Sequence, residues 1–388
     1  MNKHRWLRTG LVLLFMVVAW FTFCASGGRA QEKPELTWYG YVKLDAAWDQ
    51  GLVSVGNYAR WVLSGDAIEE HSHFNMTARQ TRLGLTARTK VGSATVTARW
   101  ESDFYGVSAE NKNSLQVRHA YVDVVWPSGW SVLAGQASDV ISPLVPGTLN
   151  YTVAWWAGNI GYRRPQFRVT RRINLGEGKE LSFQGAATRT IGDEFSTVDP
   201  GDTGADSGLP TFQGLAGVTL PLAGKPMTLG GFVHRGEENL HKELGGAPIK
   251  LASSGWGGYL TLPLGPAVTL SGEAWAGSNM DDYLGGIGHG VRVTGTKATA
   301  VDAHGGWAEL GWRGAHTQLR GGFSVDDNDA DDLAAGYRDL NSAWWGTLVR
   351  DAGNGLSYGV ELSRWETEYV GLATGASWRV QGSVIFTF

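Results

Sequence analysis

The sequence predicts an all-β protein: a transmembrane antiparallel β-barrel of sixteen strands with its third loop folded inward. Three observations predict it. Apolar and polar residues alternate with a period of two over stretches of ten to thirteen residues, which is strand patterning at membrane length. Short turns alternate with long connections along the chain. Glycine, at 55 of 388 residues, is about twice as frequent as usual, which argues against helix as the main architecture.

The N-terminus carries Lys3, Arg5 and Arg8, an apolar run from Leu11 to Phe23, and small residues ending at Gly27-Gly28-Arg29-Ala30. That order reads as a secretory signal peptide over residues 1–30, with 31–388 as one barrel domain. Bulky Phe23 before Cys24 argues against a lipoprotein signal. Cleavage after Ala30 removes the only cysteine and four of the 33 basic residues, leaving 29 basic against 37 acidic side chains, a net charge of −8. Such a chain has no disulfide framework, and its charge excludes nucleic acid as a partner. No later stretch is apolar for long enough to form a spanning helix.

From Leu36 to Trp48 the even positions are apolar or glycine, while the odd ones include Thr37, Tyr39, Tyr41, Lys43 and Asp45. The same dyad recurs around Ala94–Phe104, Val268–Ala276, Thr317–Asp326 and Ser377–Phe388. Charges on one face and aromatic ends on the other fit a barrel whose inner face meets water. Short turns fall at 90–93, 127–129, 176–179, 223–226, 265–266, 313–314 and 352–355. Longer polar or Gly-rich connections lie near 49–73, 106–114, 137–160, 191–210, 236–252, 279–303, 327–340 and 369–375. Seven turns and eight loops make sixteen strands. Closure follows from chemistry, because in hydrocarbon every backbone amide needs an internal partner and only an edgeless sheet supplies one. A barrel of this size leaves an aqueous channel.

The opening strand Thr37–Asp45, the segment Arg118-His119-Ala120-Tyr121-Val122-Asp123 and above all the block from Gly135 to Arg168 resemble the DcaP-like group of outer-membrane porins of Gram-negative bacteria. The resemblance implies an outer-membrane location, among lipid and lipopolysaccharide, and a homotrimer of diffusion channels. Dicarboxylic acids are the solutes associated with the channel that gives the group its name. That channel has a helical heptad segment before its barrel; here only Gln31 to Glu35 precede the first strand, so trimer contacts would rest on walls and loops.

The segment Gln136–Asn159, punctuated by Pro143 and Pro146, corresponds by position to the loop that narrows porins, and Asp139 is the charge it offers. Arginines concentrate on strands two to six. Arg164, Gln166, Arg168, Thr170 and Arg172 share one parity, and a guanidinium holds a carboxylate bidentately. The candidate pore-lining and constriction residues are therefore Asp139, Arg82, Arg99, Arg164, Arg168 and Arg172, with Glu101, Asp103 and Asp123 as carboxylates that could instead neutralise the arginines. The expected activity is passive diffusion of small hydrophilic solutes with an anion preference, because charged rings set pore selectivity. The alternative is a barrel-based enzyme or a non-conducting adhesin, for which no nucleophile, histidine and carboxylate set can be assembled on matching strands.

Two acidic groups, Asp193, Glu194, Asp199, Asp202 and Asp206, and Asp326, Asp327, Asp329, Asp331 and Asp332, read as solvated loops. Calcium or cation-bridged lipopolysaccharide is the other reading, although the second run lacks the Gly and the Glu of an EF-hand. His71 and His73 lack a third ligand nearby, so no metal or cofactor is expected. The sixteen tryptophans after the leader read mainly as interfacial anchors.

Overall fold

The computed structural model describes residues 33–67, 71–106, 113–191, 204–240, 249–295 and 297–388. The proposed signal peptide, residues 68–70, and the acids Asp193, Glu194, Asp199 and Asp202 lie outside them, as does the side chain of Asp206. Sixteen antiparallel strands close into one barrel: β1 (Glu35–Asp49), β2 (His73–Thr77 and Arg82–Val91), β3 (Ala94–Asp103), β4 (Gln116–Val125), β5 (Trp130–Ser138), β6 (Arg163–Gly176), β7 (Lys179–Thr188) and β8 (Thr211–Leu222), then β9 (Lys225–Leu240), β10 (Ile249–Pro263), β11 (Val268–Ser278), β12 (Asp302–Arg313), β13 (Thr317–Asn328), β14 (Arg338–Gly353), β15 (Leu356–Tyr369) and β16 (Leu372–Thr387). A small hairpin, Val291–Thr294 with Lys297–Ala300, sits in the sixth long loop.

Consecutive strands pair throughout, and β1 pairs with β16 from Tyr41↔Thr387 to Asp49↔Arg379. The last residue takes part in closure: the N–H of Gly40 donates to Phe388 O at 3.2 Å and the N–H of Phe388 to Gly40 O at 3.1 Å. Gly40 is required there, because a Cβ would lie 2.2 Å from the carbonyl oxygen of Arg82. Gly40→Ala should therefore lower the yield of closed barrel on refolding into detergent, read as the heat-modifiable band on a gel, by severalfold; an unchanged yield would show the seam to be tolerant.

The outer face carries an apolar band between the strand ends. Trp38 and Trp48 of β1 are both exposed, and ten residues at about 3.3 Å each, tilted by about 40°, separate them by about 25 Å along the barrel axis, the height of an apolar band between two aromatic girdles. Arg171, whose parity in the sequence points it away from the Arg168 row, lies over Trp130 at 5.3 Å in this outer belt. β2 breaks between its two segments, and there the Thr81 hydroxyl accepts from the Lys43 N–H at 3.1 Å and donates to the Lys43 carbonyl at 3.3 Å, replacing lost ladder bonds.

Three expectations are corrected. The connection near 369–375, expected to be long, is a tight turn between β15 and β16, with Gly371 at φ 73° supplying the left-handed residue. Asp326 is not a loop acid: it sits on the inward face of β13 with 0% exposure. The acids after it are held in the loop, Asp329 capping a short 3₁₀ turn and Asp332 accepting from the N–H of Asp302 at 3.1 Å. Several tryptophans are internal. Trp275, Trp307, Trp345 and Trp365 are buried on the inward parity, where they pack against loops that fold inside. Val140, Ile141 and Ile160 of the third loop join Met280 and Tyr283 of the sixth against the wall residues Leu215, Phe232 and Trp275. Val53, Ala59 and Val62 of the first loop meet Ala157 of the third against Ala343 and Trp365. The barrel core is thus asymmetric, filled where loops enter and open elsewhere.

Candidate functional site

The third loop, residues 139–162, runs around the inner wall. Its first anchor is Asp139, whose carboxylate accepts from Gln213 Nε2 at 2.7 Å and from the Tyr162 N–H at 2.9 Å and pairs with Arg164 Nε at 2.9 Å. Three inward glutamates then receive the loop's backbone. Glu273 of β11 accepts from the Leu144 N–H at 2.7 Å and from the Ser142 hydroxyl; Glu309 of β12 accepts from the Gly147 N–H at 2.8 Å; Glu361 of β15 accepts from the Leu149 N–H. The Leu149 carbonyl in turn accepts from Lys43 Nζ and Gln381 Nε2, each at 2.9 Å. A loop inside a barrel exposes amides that no strand satisfies, and carboxylates on the wall are strong acceptors for them. Beneath the loop, on the side of the short turns, lies a cavity of about 320 Å³ lined by Leu144, Val145, Trp307, Glu309 and Arg320, among others.

The loop returns across the barrel. Trp156 N–H donates to Leu284 O at 2.8 Å, Gly161 N–H to Tyr283 O at 2.7 Å, and Trp275 Nε1 to Gly158 O at 2.7 Å. Gly158 has φ 112°, and a Cβ on it would meet the Gly306 carbonyl at 2.2 Å. Four non-glycine residues of this loop, Ser142, Val153, Ala154 and Trp156, also take positive φ. Left-handed conformations cost roughly 1–2 kcal/mol each, so the loop keeps its path only because the wall and the sixth loop hold it.

On the wall of β2 to β4 the arginines form a different kind of group. Arg99 donates to Glu101 Oε2 at 2.6 Å and to the Tyr39 hydroxyl at 2.6 Å, and Arg82 lies 3.5 Å from Glu101 Oε1. Arg118 bridges Glu101 at 3.0 Å and Asp103 at 2.7 Å. The register shifts between Glu101 and Ser102 opposite β4, a bulge that re-aims adjacent side chains and accounts for Arg118 and His119 both approaching Glu101. Accessibility separates the two signs. The side chains of Arg99 and Arg82 are 34% and 23% exposed, whereas Glu101 and Asp103 are 3% and 0% exposed.

The sequence candidates thus fall into three sets. Arg82, Arg99, Glu101 and Asp103 come together as one cluster, with Arg118 added. Asp139 and Arg164 are both buried and pair with each other, so they fasten the third loop and do not offer open charge. Arg168 donates to Gln166 at 2.9 Å, to Gln184 at 3.5 Å and to the Ser138 carbonyl, and Asp123 lies in the field of Arg172 and Arg168. Arg172, 55% exposed and 3.8 Å from Glu180, stands at the short-turn end. The wall glutamates that hold the loop were outside the candidate set. Glu273 had the inward parity in the sequence, but parity names no partner.

A closed sixteen-stranded barrel narrowed by an inward third loop is the porin fold. No family model matches the sequence, and no curated protein matches it. Among solved structures the chain is similar to the outer membrane channel DcaP of Acinetobacter baumannii, with a TM-score of 0.75 and 18% identity over 94% of this chain and 100% of that one. It is also similar to the anion-selective porin of Comamonas acidovorans, with a TM-score of 0.57 and 14% identity over 92% and 100% of the two chains. A third similar structure is the trimer form of the Vibrio cholerae outer membrane protein OmpT, with a TM-score of 0.56 and 9% identity over 92% and 100%.

Proposed function

We propose that the protein is an outer-membrane porin: a water-filled channel for passive diffusion of small hydrophilic solutes, with a preference for anions such as dicarboxylates. It works as a homotrimer among lipid and lipopolysaccharide, exported through a cleaved leader, and it catalyses no reaction. The observation that carries the reading is the division of labour among lumenal charges. Glu273, Glu309, Glu361 and Asp139 are occupied by the third loop and buried, while guanidiniums remain open beside them. A net charge of −8 on the mature chain therefore does not set the sign of the channel. An ion in the lumen lies within a Debye length, about 8 Å at physiological salt, of the walls, and there three guanidiniums face two buried carboxylates.

The likeness to DcaP, described as a channel, and to a porin described as anion-selective supports the same reading, and the trimer form of OmpT supports the assembly. Purified full-length protein in a planar bilayer should show stepwise conductance and, in a salt gradient, a reversal potential on the anion side. A sealed membrane with hydrolytic activity would favour the barrel enzyme instead, and a cation-side potential would overturn the preference.

A further inference from the structure

Above the constriction, where the first, third and sixth loops meet, arginines and indoles alternate. Arg60 and Arg338 both lie over Trp61, their guanidinium carbons 4.3 and 4.0 Å from the ring centroid. Trp61 meets Trp156 edge-on at 6.1 Å, Trp156 meets Trp155 edge-on at 6.5 Å, and Arg163 lies over Trp155 at 5.4 Å. Trp61, Trp155, Arg60 and Arg338 are each partly exposed.

These arginines differ from those of the barrel wall. Arg164, Arg118 and Arg379 each pair with a buried carboxylate. Arg60, Arg163 and Arg338 have no carboxylate within ion-pair distance among the described residues. Arg338 Nε donates to the Ile287 carbonyl at 2.8 Å and Arg60 Nε to the Ser54 hydroxyl at 3.3 Å, which, among the described residues, leaves most of the five donors of each of these two guanidiniums without a protein acceptor. Burial lowers the pKa of Arg60, and the weakly acidic Tyr58 phenol opposes it only in part. Two like charges on one indole also repel each other. A desolvated cation is costly without a counter-charge, and cation–π contact offsets only part of that cost. In a chain with eight more acids than bases, two partly exposed guanidiniums, Arg60 and Arg338, with no carboxylate at ion-pair distance among the described residues mark a place for an anion from outside.

We propose that this strip is an entry subsite for aromatic carboxylates, with the acid group on Arg60 or Arg338, Arg163 buried behind them, and the ring against the indoles of Trp61 and Trp155. The inference rests on the anion-channel reading and narrows it. Arginine alone attracts any carboxylate; the indole faces and edges add a preference for a flat π system over a saturated ring of equal size and charge.

The test uses the full-length protein in a planar bilayer, with benzoate or cyclohexanecarboxylate added on the long-loop side and the block of chloride current recorded. Benzoate should reach half-block at about a five- to tenfold lower concentration, the scale of one stacking plus one cation–π contact. Trp61→Leu should erase that difference, and Arg60→Gln should raise the half-block concentration of benzoate. Should Trp61→Leu fail to insert, Trp155→Leu replaces it with the same expected loss. Equal block by the two acids in an anion-selective wild-type channel overturns the subsite and leaves the channel standing. A cation-selective or non-conducting wild type overturns both.

Discussion

Replacing Arg82 and Arg99 together by glutamine is expected to turn the channel toward cations. The native cluster sets three guanidiniums, Arg82, Arg99 and Arg118, against Glu101 and Asp103, a local excess of one positive charge. The double variant leaves one guanidinium against two carboxylates. At about 6 Å in water a unit charge contributes roughly 0.7 kcal/mol, halved by screening at physiological salt. A change of two charges, acting oppositely on anion and cation, then shifts the permeability ratio by roughly tenfold. The reversal potential in a potassium chloride gradient reads it directly. The barrel should still fold, because Arg118 keeps its contacts to both acids and the Tyr39 hydroxyl still donates to Glu101 at 3.0 Å. An unchanged potential would place the filter elsewhere in the lumen. Arg164→Gln makes the contrast. That side chain is 1% exposed and pairs with a carboxylate equally hidden, so its loss strands Asp139 in the interior and should cost stability, roughly 3–5 kcal/mol, before it changes selectivity.

What could be read in advance divides along the same physical line. Parity along a strand is enforced by the contrast between lipid and water, so Trp38, Leu270, Leu319 and Val380 reach the outer face as their alternation requires. Turn chemistry is local as well, and seven of the nine glycines at the seven short turns sit at positive φ, at 92, 129, 176, 178, 224, 353 and 355. The connection after β15 failed because a polar, Gly-containing stretch serves equally in a two-residue turn and in a long loop; only the pairing Tyr369↔Leu372 decides between them. The tryptophans show the limit of assigning a role by residue type. Trp378 faces lipid, and Trp275 donates to Gly158 inside the barrel, a distinction that parity contains and composition does not. Partner choice was the least legible. Arg164 and Arg168 share a row, yet one is committed to Asp139 and the other to Gln166, because the third loop passes close to the first and no periodicity encodes where a loop crosses.

The path of that loop depends on the wall carboxylates, and removing them should enlarge the channel. In the variant carrying Glu309→Ala and Glu361→Ala the N–H groups of Gly147 and Leu149 lose their acceptors, and Thr347 and Trp345 lose theirs, since Thr347 Oγ1 donates to Glu361 at 2.9 Å and Trp345 Nε1 to Glu309 at 3.1 Å. Each buried donor left without an acceptor costs about 1–3 kcal/mol. The loop already carries four non-glycine residues in left-handed conformations, so its strained path should relax away from the wall between Pro146 and Asn150. The expected record is a larger mean conductance with marked open-channel noise, while Asp139 and the apolar cluster around Ile141 and Tyr283 still tether the other end. Glu309→Gln and Glu361→Gln should behave nearly as wild type, because an amide oxygen still accepts the same N–H, more weakly and without charge. If the alanine variant conducts quietly at the native level, apolar packing alone holds the loop and the carboxylates serve only to balance charge. If the glutamine variant is as noisy as the alanine one, the negative charge itself, and not the hydrogen bond, is what fixes the constriction.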